Sequence, residues 1–240
     1  MVIRIGTSGW VYPEWRGPFY PKGLVQRREL EFLSRKVNSI EINGSFYSLR
    51  TPANYQSWAA QVPEDFVFAV KGHRFVTHVK RLHAVAEAVH EFFDSGVLTL
   101  GPKLGPVLWQ LPPSLHFQPD RLRDFLAVLP DSVRHAVEAR HSSFDTPEYF
   151  ALLRAHNVAS VIADTAGAHP RFDVLTADFT YVRLHGGAEL YASAYSSPEL
   201  DSWAARVRAW AATGDVHVYF DNSMHAHAPH DALSLAGRVG

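Results

Sequence analysis

Glu41, Lys71, Glu138, Arg140, Arg183, His185 and Asp221 all fall at or just past the ends of short segments in which polar and apolar residues alternate. These residue types do chemistry in combination. Two carboxylates in unlike surroundings hold different pKa values, so Glu41 and Glu138 read as an acid/base pair. Lys71, Arg140 and Arg183 read as an anion clamp, because guanidinium forks onto phosphate or carboxylate and ammonium adds a point charge. His185 ends its strand as an imidazole that could shuttle a proton. Asp221 and Asn222 are suited to orient a hydroxyl or a cation, and Asn43 and Gln110 add neutral hydrogen-bonding groups. Thr7, Ser8 and Asp164 end neighbouring segments. Gly186-Gly187 follows one of them, where backbone N–H groups can approach a phosphate closely.

The elements that must position these groups are strands. In "NSIEIN", "FVFAVK", "AVEAR", "TYVRLH" and "HVYFD" the apolar residues recur at every second position, giving each strand one apolar and one polar face. Eight such segments are expected: Val2–Gly6, Val37–Asn43, Phe66–Lys71, Pro106–Leu111, Arg134–Arg140, Val158–Asp164, Phe179–His185 and Val216–Asp221. Between them, Arg27–Lys36, Thr77–Phe93, Asp120–Leu129 and Ser197–Ala212 carry apolar residues at helical spacing. Thr51-Pro52, Thr146-Pro147 and Ser197-Pro198 read as helix starts, since proline lacks only an N–H that the first turn leaves unpaired. Ala166–Ala177, with Gly167 and Pro170, reads as a loop. Strand alternating with helix to a count of eight predicts one (β/α)8 TIM-like barrel over 1–240, irregular around its sixth strand, with the polar ends gathered at one mouth. An open doubly wound sheet fits less well. "GTSGW" is not GxGxxG, and an open sheet buries both strand faces, which leaves no place for Glu41, Lys71, Glu138, Arg183 and Asp221.

Composition narrows the function. The 240 residues are 47% hydrophobic and 20% charged, enough apolar material for one large core. A formal net charge of -1 provides no global field toward nucleic acid or anionic membrane. The absence of cysteine excludes disulfides, thiolate nucleophiles and cysteine-ligated zinc. With no leader ahead of "VIRIGTSGW" and no bilayer-length apolar run, a soluble cytoplasmic protein without membrane partners is expected. Nothing in the chain sets an oligomeric state.

Aromatic residues form a second group. Trp10, Tyr12, Trp15, Phe19 and Tyr20 follow the first strand, Phe46 and Tyr47 the second, and Tyr191 and Tyr195 the seventh, while Trp109 ends the fourth. Such rings stack on sugars or bases. Trp10, Tyr12, Trp15 and Tyr47 are therefore counted with the substrate-binding residues, and Trp58, Trp203 and Trp210 are assigned to helix packing.

The stretches "GTSGWVYPEWRGPFYP", "EINGSFY", "FVFAVK", "GPVLWQLPP", "EARHSSF", "YVRLHG" and "VYFDNSMHAHAPHDAL" together resemble the YecE-like family, domain of unknown function 72. The resemblance runs the length of the chain in order. Gly44 stands where a larger polar residue is expected, and Ala192 follows Tyr191 where glycine is usual. The resemblance implies a TIM barrel and supplies no reaction.

The resulting expectation is a cofactor-independent enzyme of hydrolase, lyase or isomerase type, acting on a small anionic or sugar-like substrate. Two alternatives stand beside it. One is nucleic-acid processing or base binding. The other is a divalent-metal hydrolase or isomerase of the xylose-isomerase or endonuclease type, using Glu41, Glu138, His185 and Asp221. His225, His227 and His230 are expected in a solvated loop.

Overall fold

The computed structural model describes all 240 residues. Nine parallel strands form one sheet: β1 (Ile3–Ser8), β2 (Ser39–Ile42), β3 (Val67–Lys71), β4 (Leu104–Gln110), β5 (His135–Glu138), β6 (Ala159–Ser160), β7 (Ile162–Asp164), β8 (Phe179–Leu184) and β9 (Asp215–Phe220). Their order is β6-β5-β4-β3-β2-β1-β9-β8-β7. The two outermost pieces, β6 and β7, are successive parts of one strand interrupted at Val161, so the sheet closes on itself with eight barrel positions. Val161 itself still donates to Val137 O at 3.0 Å. The sixth strand is short because it changes partner midway, β6 pairing with β5 and β7 with β8. Between β3 and β4 the register slips beside Gly105-Pro106, where proline has no N–H for the ladder.

Helices α1 (Glu29–Ser34), α2 (Gly44–Tyr47), α3 (Pro52–Gln61), α4 (Ala86–Asp94), α5 (Pro119–Ala127), α6 (Pro147–Ala155), α7 (Ser197–Ala211) and α8 (His227–Val239) follow the strands. Three begin as their sequences direct. The Asn54 side chain accepts from Thr51 N–H, Thr146 Oγ1 accepts from Tyr149 N–H, and Glu199 accepts from Ser196 N–H. The cap of α7 is thus Ser196, one residue before the expected Ser197. The expected helix Thr77–Phe93 is reduced to α4. Ahead of it lie a π-type turn over Phe75–Val79 and left-handed backbone at Arg81, Leu82 and Ala84. No helix joins β7 to β8, in keeping with the loop read at Ala166–Ala177.

Two separate apolar bodies hold the barrel. The larger lies between sheet and helices and contains Ile5, Ile40, Ile42, Phe68, Val70, Val107, Trp109, Val137, Val182 and Phe220. The smaller fills the lumen. There Ala69, Leu108, Ala136, Ala159, Val161 and Ala163, from β3 to β7, face Phe179, Tyr181 and Tyr219 from β8 and β9. Small side chains on one arc leave room for rings from the other, which fills the bore without a channel. Above this plug the inward positions turn polar.

Candidate active site

The inward positions at the strand C-termini bring Ser8, Glu41, Glu138, Arg183, His185 and Asp221 together. Arg183 is their centre and is fully buried. Its Nε and Nη2 donate to the two Glu41 oxygens at 3.1 and 2.9 Å. Nη1 donates to Glu138 Oε2 at 2.8 Å, and Nη2 also reaches Asp221 Oδ2 at 3.0 Å. Glu41 further accepts from Ser8 Oγ at 2.7 Å and from Tyr181 OH at 2.6 Å. Glu138 accepts from Arg140 Nε at 2.5 Å. Burial alone would raise the Glu138 carboxyl, but Arg140 and Arg183 outweigh it and hold the group well below the usual carboxylate range. Burial likewise opposes ionisation of Asp221, and Arg183 and His185 overcome it, bringing its pKa to about 2. His185 Nδ1 lies 3.1 Å from Asp221 Oδ2 without forming a hydrogen bond, so that buried nitrogen has no hydrogen-bond partner.

Glu41 and Glu138 therefore do not face each other across open space; the Arg183 guanidinium bridges them. Arg183 spends its donors on protein carboxylates and has none free to clamp a ligand. The four side chains weighed as metal ligands converge on this guanidinium, which stands where an ion bound by them would sit.

A second layer lies over the first and meets solvent. Lys71 is 8% exposed, and its ammonium rests 4.4 Å from the centre of the Phe46 ring. Its Nζ forms neither a hydrogen bond nor an ion pair. Burial, reinforced by Arg183, lowers its pKa from 10.5 to about 8. Arg140 is mostly buried and uses only Nε on Glu138, leaving the rest of its fork unpaired. Gln110 is 7% exposed, and Asp221 and Asn43 are half-buried. His78 joins this layer from the loop after β3. Its ring meets Phe46 edge-on, and burial, with Lys71 next, lowers its pKa to about 4. Nothing in the sequence marked His78, since it belongs to no strand. Tyr181 was legible, because it shares the i, i+2 face of Arg183 and His185.

Several expected ligand contacts lie elsewhere. Trp15 is fully buried and donates from Nε1 to Ser223 O at 2.8 Å. Trp109 points outward into the helix layer, against Phe92 and Phe125. Asn222 is sealed and ties the last βα loop to Ser193 O and Asp231. Gly186 N–H is taken by Tyr195 OH at 3.1 Å, and the Glu199 carboxylate lies against Gly187, a poor setting for phosphate. Tyr195 is buried and bonded to Asp164, and Tyr20 is buried too. Tyr47 is 69% exposed at the rim. Trp10 and Tyr12 are half-buried beside the mouth, Tyr12 donating to Ser8 O at 2.5 Å. Trp58, assigned to packing, is only half-buried, while Trp203 packs as expected. His227 and His230 belong to α8 rather than to a loop; His225 and His230 are exposed, and no three ligating side chains gather there. No helix is long and apolar enough to cross a membrane.

A family model described as "Protein of unknown function DUF72" matches residues 4–240. The UPF0759 protein YecE of Escherichia coli strain K12 is 25% identical, with 95% of this chain and 89% of that protein covered. A crystal structure of a DUF72 family protein from Thermotoga maritima superposes with a TM-score of 0.89 at 26% identity, covering 99% of this chain and 98% of that one. A DUF72 family protein from Enterococcus faecalis gives a TM-score of 0.85 at 17% identity, covering 99% and 95%. A xylose isomerase-like TIM barrel fused to 4-hydroxyphenylpyruvate dioxygenase gives 0.55 at 15% identity over 89% of this chain and 41% of that one, a likeness of fold alone.

Proposed function

We propose that this chain, which belongs to the DUF72 family, is an enzyme that holds a small anionic substrate at the barrel mouth and moves a proton with Lys71. The observation that carries this reading is an amine almost out of water that no group of the protein pairs. A lysine whose pKa is about 8 exchanges between ammonium and amine near neutrality, the condition for proton transfer. Arg140 offers the unpaired part of its fork to a carboxylate or phosphate, and Gln110 and Asp221 come from the C-terminal ends of β4 and β9 at the same mouth. Glu41, Glu138 and His185 act as positioning groups in this reading: Glu138 orients Arg140, and Arg183 orients Glu138 and Asp221. The glutamates thus serve as fixed counter-charges rather than as an acid/base pair.

The test is isothermal titration with citrate and inorganic phosphate, followed by NMR detection of solvent deuterium entering 2-oxo acids and sugar phosphates. Anion affinity should fall as pH rises through about 8. Lys71→Met should abolish that dependence and the exchange while leaving the fold intact. Anion binding unchanged in Lys71→Met would overturn the reading.

One observation favours nucleic-acid binding as a second reading. Residues 72–86 contain Arg74, Lys80 and Arg81 and no acid, with Phe75 37% exposed among them, so a local basic and aromatic edge exists despite the overall charge of -1. Filter binding of single-stranded DNA and RNA at low salt decides it; no retention removes the idea.

A further inference from the structure

Beside the mouth, on the outer side of β1 and β2, a cleft of about 820 Å³ opens between the loop after β1, the start of α1, the loop after β2 and α3. None of Lys71, Gln110, Arg140 or Asp221 lines it. Its walls contain two arginines, Arg27 and Arg50, and no carboxylate. Neither arginine forms an ion pair, although thirteen arginine–carboxylate pairs tie up charges elsewhere in the chain.

Two buried polar atoms at this cleft have no partner: Asn43 Oδ1, an acceptor, and Arg50 Nε, a donor. An unpaired buried polar atom has lost its water without replacement, so each favours a ligand atom of opposite character. The Arg50 guanidinium is nevertheless held in place, with Nη2 donating to Gly44 O at 2.8 Å. It lies so close over Gly44 that a Cβ there would stand 2.8 Å from Nη2 and 3.2 Å from Nε. The absence of a side chain at residue 44 is therefore what lets Arg50 fold into the wall. The apolar part of the cleft is a pair of indoles, Trp10 and Trp58, with ring centres 5.4 Å apart at 80°. Both remain half-buried, so each keeps ring surface for a ligand. Gln61 adds a carboxamide.

We infer that this cleft is a second ligand site, separate from the barrel mouth, for a planar ring that carries a phosphate or carboxylate. The ring lies against Trp10 and Trp58, its anionic group meets Arg50 and Arg27, and an N–H or O–H of the ring meets Asn43 Oδ1. Unpaired guanidinium without any carboxylate selects for negative charge, and two indoles select for a flat partner over a flexible one. A nucleoside monophosphate and an aromatic carboxylate share this chemistry.

The probes are AMP, GMP, CMP, UMP, 4-hydroxybenzoate and indole-3-acetate, read by quenching of tryptophan fluorescence and by isothermal titration. At least one is expected to bind saturably in the micromolar range. The responding class identifies the anionic group, phosphate or carboxylate, and a response from either supports the site. Arg50→Met should weaken that binding tenfold or more. Gly44→Ser, which leaves every charge in place but crowds the guanidinium, should weaken it several-fold, and melting curves of both variants should confirm that they fold. Lys71→Met should bind the probe as the wild type does, which separates this site from the proposed function. The inference is overturned if no probe binds at millimolar concentration, if folded Arg50→Met binds as tightly as the wild type, or if Lys71→Met is the variant that loses binding.

Discussion

Lys71 and Arg183 enter the same mouth from β3 and β8, on opposite sides of the ring, and their surroundings treat them in contrary ways. Arg183 is sealed and meets Glu41, Glu138 and Asp221 together. Lys71 is nearly as far from water but meets an aromatic face and no counter-ion. A delocalised fork can satisfy several carboxylates in one plane at modest desolvation cost, whereas a compact ammonium left unpaired loses its proton more readily. The sealed guanidinium is therefore paired with three carboxylates, and Lys71 in the layer above it is the cation whose charge can change. Buried ion networks are weak evidence for stability in themselves, yet removing one member is severe. That contrast offers a way to tell architecture from chemistry.

Arg183→Met should break the comparison outright. It leaves Glu41, Glu138 and Asp221 buried beside one another without their shared cation, and loss of one partner from a buried pair already costs about 3–5 kcal/mol. The variant should be unfolded or should lose most of its resistance to urea. A melting temperature close to wild type would show that the network is not architectural. Glu138→Gln should follow, at roughly 3 kcal/mol, because Arg140 and Arg183 then face a neutral amide. Arg140→Gln removes one charge-assisted bond and leaves Glu138 on Arg183, so about 2 kcal/mol is expected. Urea titrations of the two variants side by side would rank them, and a larger cost for Arg140→Gln would contradict the layering.

Lys71→Met should have the smallest effect, and of opposite sign. The folded chain lowers the Lys71 pKa from 10.5 to about 8, so the unfolded chain binds more protons between those values. Stability from this group is thus lowest below pH 8 and recovers as pH rises toward 10.5. At pH 7 the methionine variant should be at least as stable as wild type, by about 1 kcal/mol or more. That advantage should shrink through the pH 8 to 10.5 window. A wild-type protein that is clearly more stable than Lys71→Met at pH 7 would mean that Lys71 has a partner after all.

Much of this architecture was legible one residue at a time. Alternation in the strands placed Glu41, Glu138, Arg183 and His185 on the inward face, and their positions near strand ends placed them at one mouth. Applied to β4, the same rule sets Gln110 inward and Trp109 outward, so grouping Trp109 with the mouth aromatics for its place near the strand end was the misjudgement; its ring lies among the helices. Proximity in sequence misjudged Trp15, Asn222 and Gly186, whose N–H donors are taken by Ser223 O, by Ser193 O with Asp231, and by Tyr195 OH. A loop residue has no periodicity to reveal its direction, so its partners had to come from elsewhere in the fold.

From sequence alone, then, came the barrel and the company of charges at its C-terminal end, because side-chain direction in a strand follows from the backbone's period of two. Only the tertiary structure decided which cation was sealed and which was left to titrate. Whether a charge is paired depends on what reaches it across the ring, and for Lys71 that is the Phe46 ring, while for Arg183 it is three carboxylates from β2, β5 and the end of β9.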